Sequence, residues 1–220
     1  MPLRLVDLGI RSGRADTTEL NRLRLDCSPT RAANEYAALS HRWGDAPPEE
    51  RFRLTNENLS AWQGFLDLTT LPSTFQDAVL VARGLGIRYL WIDTLCIKQD
   101  DSADLEAQLQ KMEEIFACAY VTISATCATS DTDGFLNRRD SQRSYHTLHI
   151  PDGTGKLQTV YLCDSIDDFK QDVEESELSE RGWIFQERVL SRRIIHFTSK
   201  QTYWECGSGV RCETLTKLHK

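Results

Sequence analysis

Tyr89-Leu90-Trp91-Ile92-Asp93-Thr94-Leu95-Cys96-Ile97-Lys98-Gln99-Asp100 runs from four consecutive apolar residues into a carboxylate and then a mixed polar segment. A short, continuously apolar run is the pattern of a central strand covered on both faces, and the change at Asp93 marks where such a strand emerges into a cleft. Just upstream, Leu71-Pro72-Ser73-Thr74-Phe75-Gln76 carries a helix-start signature, with Ser73 and Gln76 at capping-box spacing. Gly84 and Gly86 close that segment, which predicts a helix over 73–84. Tyr36 to Ser40 is a second apolar run ending in polar residues, so strand, helix, strand form a βαβ rhythm. Past Ser102, Leu105, Leu109, Met112, Phe116 and Ala119 line one face of a helix, and Tyr120 to Ala125 alternates as a strand does. This succession predicts a parallel sheet flanked by helices, with right-handed crossovers.

The periphery departs from that rhythm. Residues 3–7 and 22–26 alternate weakly around Arg11–Asp16 and predict an N-terminal hairpin. His146–Ile150 and Leu157–Leu162, around Pro151-Asp152-Gly153-Thr154-Gly155, predict an inserted hairpin. Within the acidic stretch Asp164–Glu180, Ile166, Phe169 and Val173 stand at helical spacing, which predicts a solvated surface helix. The chain closes with a helix around Trp183 and a hairpin of Arg193–Phe197 with Gln201–Cys206, turning at Thr198–Lys200. A chain of 220 residues suffices for one large domain or two small ones. The reading is a single domain over 1–220, with 1–34 as an N-terminal hairpin extension and 127–180 as an insertion.

Charge and cysteine content exclude several classes of function. Thirty-three carboxylates stand against 26 Lys and Arg, a net charge of −7, which disfavours nucleic acid as a partner because phosphate binding needs clustered cations. Seven cysteines form no Cys-x-x-Cys pair and no zinc-like spacing with histidine, so no metal site is expected. Cys96, Cys118 and Cys163 lie in apolar runs, where a reduced thiol packs as a small hydrophobe, so a reducing cytoplasm is the expected location. The N-terminus has no secretory pattern, and no stretch approaches the roughly 20 apolar residues of a membrane span.

Two further blocks share the apolar-to-polar design of the first. Tyr36-Ala37-Ala38-Leu39-Ser40-His41-Arg42-Trp43-Gly44-Asp45 sends Ser40, His41, Arg42, Trp43 and Asp45 beyond one strand, as Asp93 stands beyond another. Ligands of doubly wound sheets bind at such carboxyl ends. Arg181-Gly182-Trp183-Ile184-Phe185-Gln186-Glu187-Arg188-Val189-Leu190 places Trp183 and Glu187 four apart, on one face of a helix. Gly84-Leu85-Gly86 ends a helix and is no dinucleotide fingerprint, which argues against a hydride-carrying cofactor.

In order, Tyr-x-x-Leu-Ser-x-x-Trp-Gly-Asp (36–45), Leu-Pro-x-Thr-Phe-x-Asp-Ala (71–78) and Tyr-Leu-Trp-Ile-Asp-x-Leu-Cys-Ile-x-Gln-Asp (89–100) resemble the fungal heterokaryon-incompatibility (HET) domain. Met112–Phe116, Arg181–Glu187 and Tyr203–Cys206 extend the resemblance, which covers about residues 35–206. HET domains are similar to TIR domains, so the resemblance implies a TIR- or flavodoxin-like parallel sheet and a role in programmed cell death after non-self recognition. Enzymatic TIR domains cleave NAD with the glutamate of a Trp-x-x-x-Glu helix. Trp183 and Glu187 match that motif, which implies Glu187 as the catalytic residue and Trp183 with Ser40, His41, Arg42, Trp43, Asp45 and Asp93 as substrate-binding residues. NAD would be substrate and not cofactor, with the product linear or cyclised. The resemblance further implies self-association on activation and an upstream non-self sensor as partner.

Each assignment has a duller reading beside it. Glu187 can pair with Arg188 or Arg192 on a helix surface, Asp93 can cap the next turn, and Trp43, Trp91 and Trp183 can be core. His41 is as readily a surface histidine as a ligand. A non-catalytic module that signals by homotypic binding is the competing function. Hydrolase chemistry by Cys96 with His41 ranks below both, since Leu95-Cys96-Ile97 offers no electropositive, accessible setting.

Overall fold

The computed structural model describes residues 2–9, 20–29, 35–137, 145–163, 168–179, 182–213 and 217–218. In chain order the elements begin with strands β1 (Leu5–Asp7), β2 (Arg22–Asp26) and β3 (Tyr36–Ser40), helix α1 (Leu59–Gly64), strand β4 (Leu66–Asp67) and helix α2 (Ser73–Gly84). Strand β5 (Tyr89–Trp91) follows, then helices α3 (Asp93–Cys96), α4 (Ser102–Leu109) and α5 (Met112–Cys118), and strand β6 (Val121–Ser124). The remainder comprises strands β7 (Tyr145–Pro151) and β8 (Leu157–Cys163), helix α6 (Gly182–Leu190), and strands β9 (Arg193–Phe197), β10 (Thr202–Cys206), β11 (Gly209–Cys212) and β12 (Lys217–Leu218).

Ten of these strands form one sheet in the order β12-β11-β10-β9-β6-β3-β5-β1-β2-β4. Its middle is parallel: β3 pairs with β5 and β6, and β6 with β9. Every residue of β3, β5 and β6 is buried, as their unbroken apolar sequence requires. Counted along the chain, the four parallel strands lie second, first, third, fourth, so strand order reverses between β3 and β6. That reversal is the switch point where a doubly wound sheet opens a crevice.

The sheet is mixed and not wholly parallel. The N-terminal hairpin forms as the sequence predicts, yet it is built into the sheet, because β1 also pairs antiparallel with β5, Val6 facing Leu90. Leu5 and Val6 are fully buried, and ionic bonds fasten the strand at each end: Arg4 to Asp104 at 2.8 Å, and Asp7 to Arg88 at 2.7 Å. At the other side β9 is both the fourth parallel strand and the first half of the expected hairpin with β10. The inserted hairpin also forms, as a separate two-stranded sheet of β7 and β8.

Three local expectations fail for tertiary reasons. Helix α2 spans the predicted residues, but Ser73 and Gln76 make no capping box: Pro72 is the N-cap, Gln76 Nε2 donates to the Leu71 carbonyl at 2.7 Å, and the Thr74 N–H donates to the Asp131 carbonyl at 2.9 Å. The loop after β6 thus does the capping. The helix read continuously through 102–119 is two helices, because two anchors demand different faces. In α4, Asp104 reaches Arg4 and Gln108 is buried while Leu109 is exposed; in α5, Ile115 and Phe116 enter the core. The described part of the acidic stretch holds a short π-helical turn, Lys170–Glu174, and not a solvated helix, since Phe169 and Val173 are buried against Tyr203 and Val210. Ile166 lies outside the described residues. Cys118 is exposed at the end of α5, unlike the buried Cys96, because the helix turns that side outward.

Candidate functional site

Successive side chains of a strand point to opposite faces. The end of β3 therefore splits the block 40–45. His41 turns to α2, where its ring meets Phe75 edge-on at 5.1 Å, and its Nδ1 lies 3.9 Å from Asp93 Oδ1. Trp43 comes back to the same place: its indole N–H donates to Asp93 Oδ2 at 2.7 Å, and Arg51 lies over its ring at 5.4 Å. The other Asp93 oxygen accepts the Thr94 N–H at 2.7 Å, so this carboxylate both opens α3 and fastens Trp43. Gly44 makes the turn possible: its φ is +77°, and a Cβ there would stand 2.7 Å from the Ser130 Cβ. Asp131, buried on the facing loop, has its carboxyl pushed up by burial, with nearby His41 acting the other way. Arg42 leaves this cluster and bonds Glu177, and Asp45 is exposed beyond it.

Ser40 points to the opposite face. There the switch point holds a narrow cavity of about 10 Å³, room for about one water, whose lining includes Ser40, Ser124, Thr126, Ile184, Arg188 and His196. Helix α6 closes it, and a partly buried charge cluster ties that helix to the sheet. Arg188 Nε donates to Glu205 Oε2 at 2.8 Å, and its Nη2 donates to Glu205 Oε1 and Glu174 Oε1, each at 3.1 Å. His196 Nε2 lies 3.0 Å from Glu205 Oε2, and the guanidinium rests 5.1 Å from the Phe169 ring centroid. Burial works to lower the Arg188 pKa, but Glu205 and then Glu174 outweigh it, so the group is held charged. Ser124 and Thr126 hydroxyls pair at 3.1 Å.

Glu187 occupies the neighbouring flank of α6. Ile184 and Arg188 take the sheet-facing side, and Glu187, one position before Arg188, is half-buried in a groove toward α5 lined by Met112, Glu113, Phe116, Gln186 and Leu190. Its backbone carbonyl accepts the Ser191 hydroxyl at 2.7 Å, which pairs with Thr122 of β6 at 2.6 Å. Trp183 lies on the first turn of α6; its side chain is outside the described residues. The candidates thus divide into His41, Trp43 and Asp93 toward α2, Ser40 in the switch-point cavity, Glu187 beside α5, and Arg42 and Asp45 outward.

Sequence reading passes over Arg188 except as a neighbour of Glu187, and over His196, Glu205, Ser124 and Thr126 altogether. The one signal for them is alternation within 193–197, which puts His196 on the face of the buried Ile194. Cys96 is about 1% exposed, and burial pushes its thiol up to about 12, which removes the thiolate a hydrolase would need. Among the described residues no group of three or more His, Cys, Asp or Glu is placed to hold a metal ion, and no helix is long and apolar enough to cross a membrane.

Residues 36–187, from the start of β3 to Glu187 itself, match the family described as "Heterokaryon incompatibility protein (HET)". The chain is also similar to heterokaryon incompatibility protein 6, OR allele, of Neurospora crassa, with 29% identity over 102 residues. That similarity covers 44% of this chain and 15% of the Neurospora protein's length. No solved structure matches.

Proposed function

The chain belongs to the heterokaryon incompatibility family, and from that premise we propose that it acts in incompatibility cell death by cleaving NAD, with Glu187 as its catalytic residue. The observation that carries this reading is the half-buried carboxylate of Glu187, four residues after Trp183 on the helix that closes the switch-point cavity. In the reaction, water adds to the ribose C1′ as the bond to nicotinamide breaks. The bonding pair leaves with the ring nitrogen, giving neutral nicotinamide, ADP-ribose and a proton. A pyridinium departs without protonation, so the paired carboxylic acid of ordinary glycosidases is not needed. One ionised carboxylate suffices to steady the positive charge that develops on the ribose, and its partial removal from water strengthens that effect.

A TIR-like ancestry of the sheet, activation by self-association and an upstream sensor belong to the same proposal. Nicotinamide release from NAD, followed by chromatography with and without a clustering agent, tests it. Clustered wild-type protein is expected to release nicotinamide, and Glu187→Gln to lose at least about 100-fold in rate at an unchanged unfolding midpoint. A silent clustered wild type overturns the enzymatic reading, and an active Glu187→Gln overturns the assignment.

One observation favours a second reading, a non-catalytic module acting by homotypic binding. The outer side of α6 exposes Phe185 at 68% and Val189 at 63%, one turn apart. On that reading, toxicity in cells survives Glu187→Gln and is lost in Phe185→Asp/Val189→Asp.

A further inference from the structure

The acidic segment 168–179 lies where a doubly wound sheet opens to its ligands. Val173 and Leu178, each about 1% exposed, enter the switch-point cavity together with Ser179 and leave it about 10 Å³, room for one water. Sites that enclose a ligand run to roughly 300–1,000 Å³, so the chain itself fills the place a nucleotide would take. Its backbone hydrogen bonds close on themselves: the Asp172 N–H donates to the Asp168 carbonyl at 2.8 Å, the Glu175 N–H to Lys170 at 2.9 Å and the Ser179 N–H to Ser176 at 2.9 Å. The segment is therefore laid on the sheet rather than woven into it.

Charge shows what the segment stands in for. Glu177 pairs with Arg42 just beyond β3, Glu174 with Arg188 of α6 at 3.1 Å, and Asp172 with Lys200 just beyond β9 at 2.9 Å. In each pair the segment supplies the anion and the surrounding elements the cation, so it presents to the crevice the charge pattern of a polyanion. The side chains of Glu177 and Glu174 are 66% and 41% exposed, and exposed pairs are individually weak and screened by salt. Beside them, between Gln171, Asp172 and Ser176 and the turn Thr198–Lys200, an open hollow of about 300 Å³ takes the place of packing. The buried apolar anchors are Phe169, Val173 and Leu178. Such an attachment is suited to release.

We propose that residues 168–179 form an autoinhibitory strap, an internal anion that occupies the switch-point crevice and that a phosphate-bearing ligand displaces. Arg42 and Lys200 pass from the strap to the ligand, and Val173 and Leu178 leave the space the ligand enters. That the natural ligand is a nucleotide diphosphate rests on the NAD reading above; the strap itself rests on the packing and the ion pairs.

Inorganic pyrophosphate is the probe, titrated calorimetrically at fixed ionic strength, with hydrogen exchange of residues 168–179 followed by mass spectrometry. Glu174→Gln/Glu177→Gln removes two of the strap's anions. It is expected to speed strap exchange about tenfold and to bind pyrophosphate about fivefold tighter than wild type, because two weak ion pairs no longer compete. Arg42→Gln breaks the Arg42–Glu177 pair from its other side; it is expected to loosen the strap as well, yet to bind pyrophosphate more weakly than wild type. Opposite changes of affinity from the two sides of one ion pair are the mark of displacement, whereas a merely structural segment moves both alike. In wild type, pyrophosphate is expected to speed strap exchange while β6 stays protected, and an intact unfolding transition checks each variant. Equal affinities in the two variants, slower strap exchange with pyrophosphate, or no pyrophosphate binding in any variant overturns the strap. Tighter pyrophosphate binding by Glu174→Gln/Glu177→Gln protein that releases no nicotinamide from NAD supports the strap and overturns the enzymatic reading.

Discussion

The cluster under α6 has an energetic consequence that can be worked out. Replacing Arg188 by Met keeps an apolar stem of similar length and removes the cation that binds Glu205 and rests over Phe169, while Glu205 keeps its contact with His196. Breaking a fully buried pair by removing one member costs about 3–5 kcal/mol, because the surviving charge stays desolvated. The side chains of Arg188 and Glu205 are 21% and 12% exposed, so water relieves part of that cost and about 2–3 kcal/mol is expected. For a domain of this size each kcal/mol shifts the midpoint by about 2–4 °C, hence a fall of about 4–12 °C. Urea unfolding measures the free energy directly, provided the slope against denaturant is unchanged. The decisive arm is Arg188→Met/Glu205→Leu, which removes both charges and is expected to recover more than half of the loss. A single mutant costing under about 0.5 kcal/mol, or a double mutant whose loss equals the sum of the singles, refutes the reasoning.

Three other outcomes follow from named groups. Burial pushes the Asp7 and Asp104 carboxyls up, but Arg88, the Gly9 N–H and Arg24 for Asp7, and Arg4 and the Lys98 N–H for Asp104, pull both below the usual value of 3.8. A depressed folded pKa stabilises above the unfolded value and loses that contribution as pH falls through the folded one, so stability is expected to drop below about pH 4. Asp7→Asn and Asp104→Asn are expected to be less stable at pH 7 and to show a shallower acid slope in urea titrations from pH 2 to 5; an unaltered slope refutes the pairing. In iodoacetamide footprinting of the native protein, Cys118, which is exposed, is expected to label, and Cys206, whose thiol is lowered by Ser208, to label faster, while Cys96 stays unmodified until unfolding; early labelling of Cys96 would be the contrary result. Gly44→Ala imposes both a positive φ and a Cβ collision with Ser130, and is expected to cost about 1–3 kcal/mol and to change the Trp43 fluorescence; full stability would count against the turn.

What the sequence discloses and what it hides separate along physical lines. The central strands are legible because burial on both faces leaves an unbroken apolar signature at 36–40, 89–91 and 121–124. Helix α2 is legible because Pro72 and Gly86 constrain the backbone locally. Its cap is not, because the groups that satisfy Thr74 come from the loop around Asp131, nearly sixty residues away. The same applies to the break between α4 and α5, which the bond of Asp104 to Arg4 across the molecule explains. The Arg188–Glu205–His196 cluster is hidden for a like reason: His196 faces Tyr203 in the β9–β10 register, so its contact with Glu205 is a diagonal that exists after the strands pair.

The division of the site, by contrast, follows from alternation that the sequence already carries. Ser40 and His41 are adjacent in the chain and serve opposite faces of the sheet, one in the switch-point cavity and the other against Phe75 and Asp93. Side chains on opposite faces of a strand touch different neighbours, so their coupling is limited to what the shared backbone transmits. The losses of stability in Ser40→Ala and His41→Ala are therefore expected to add within about 0.5 kcal/mol in the double variant. His41→Ala with Asp93→Asn is expected to depart from additivity, because Asp93 Oδ1 faces the imidazole while Oδ2 holds Trp43. Strong coupling between Ser40 and His41 would mean that the two faces open into one pocket at the strand ends, with the His41–Trp43–Asp93 cluster as one of its walls.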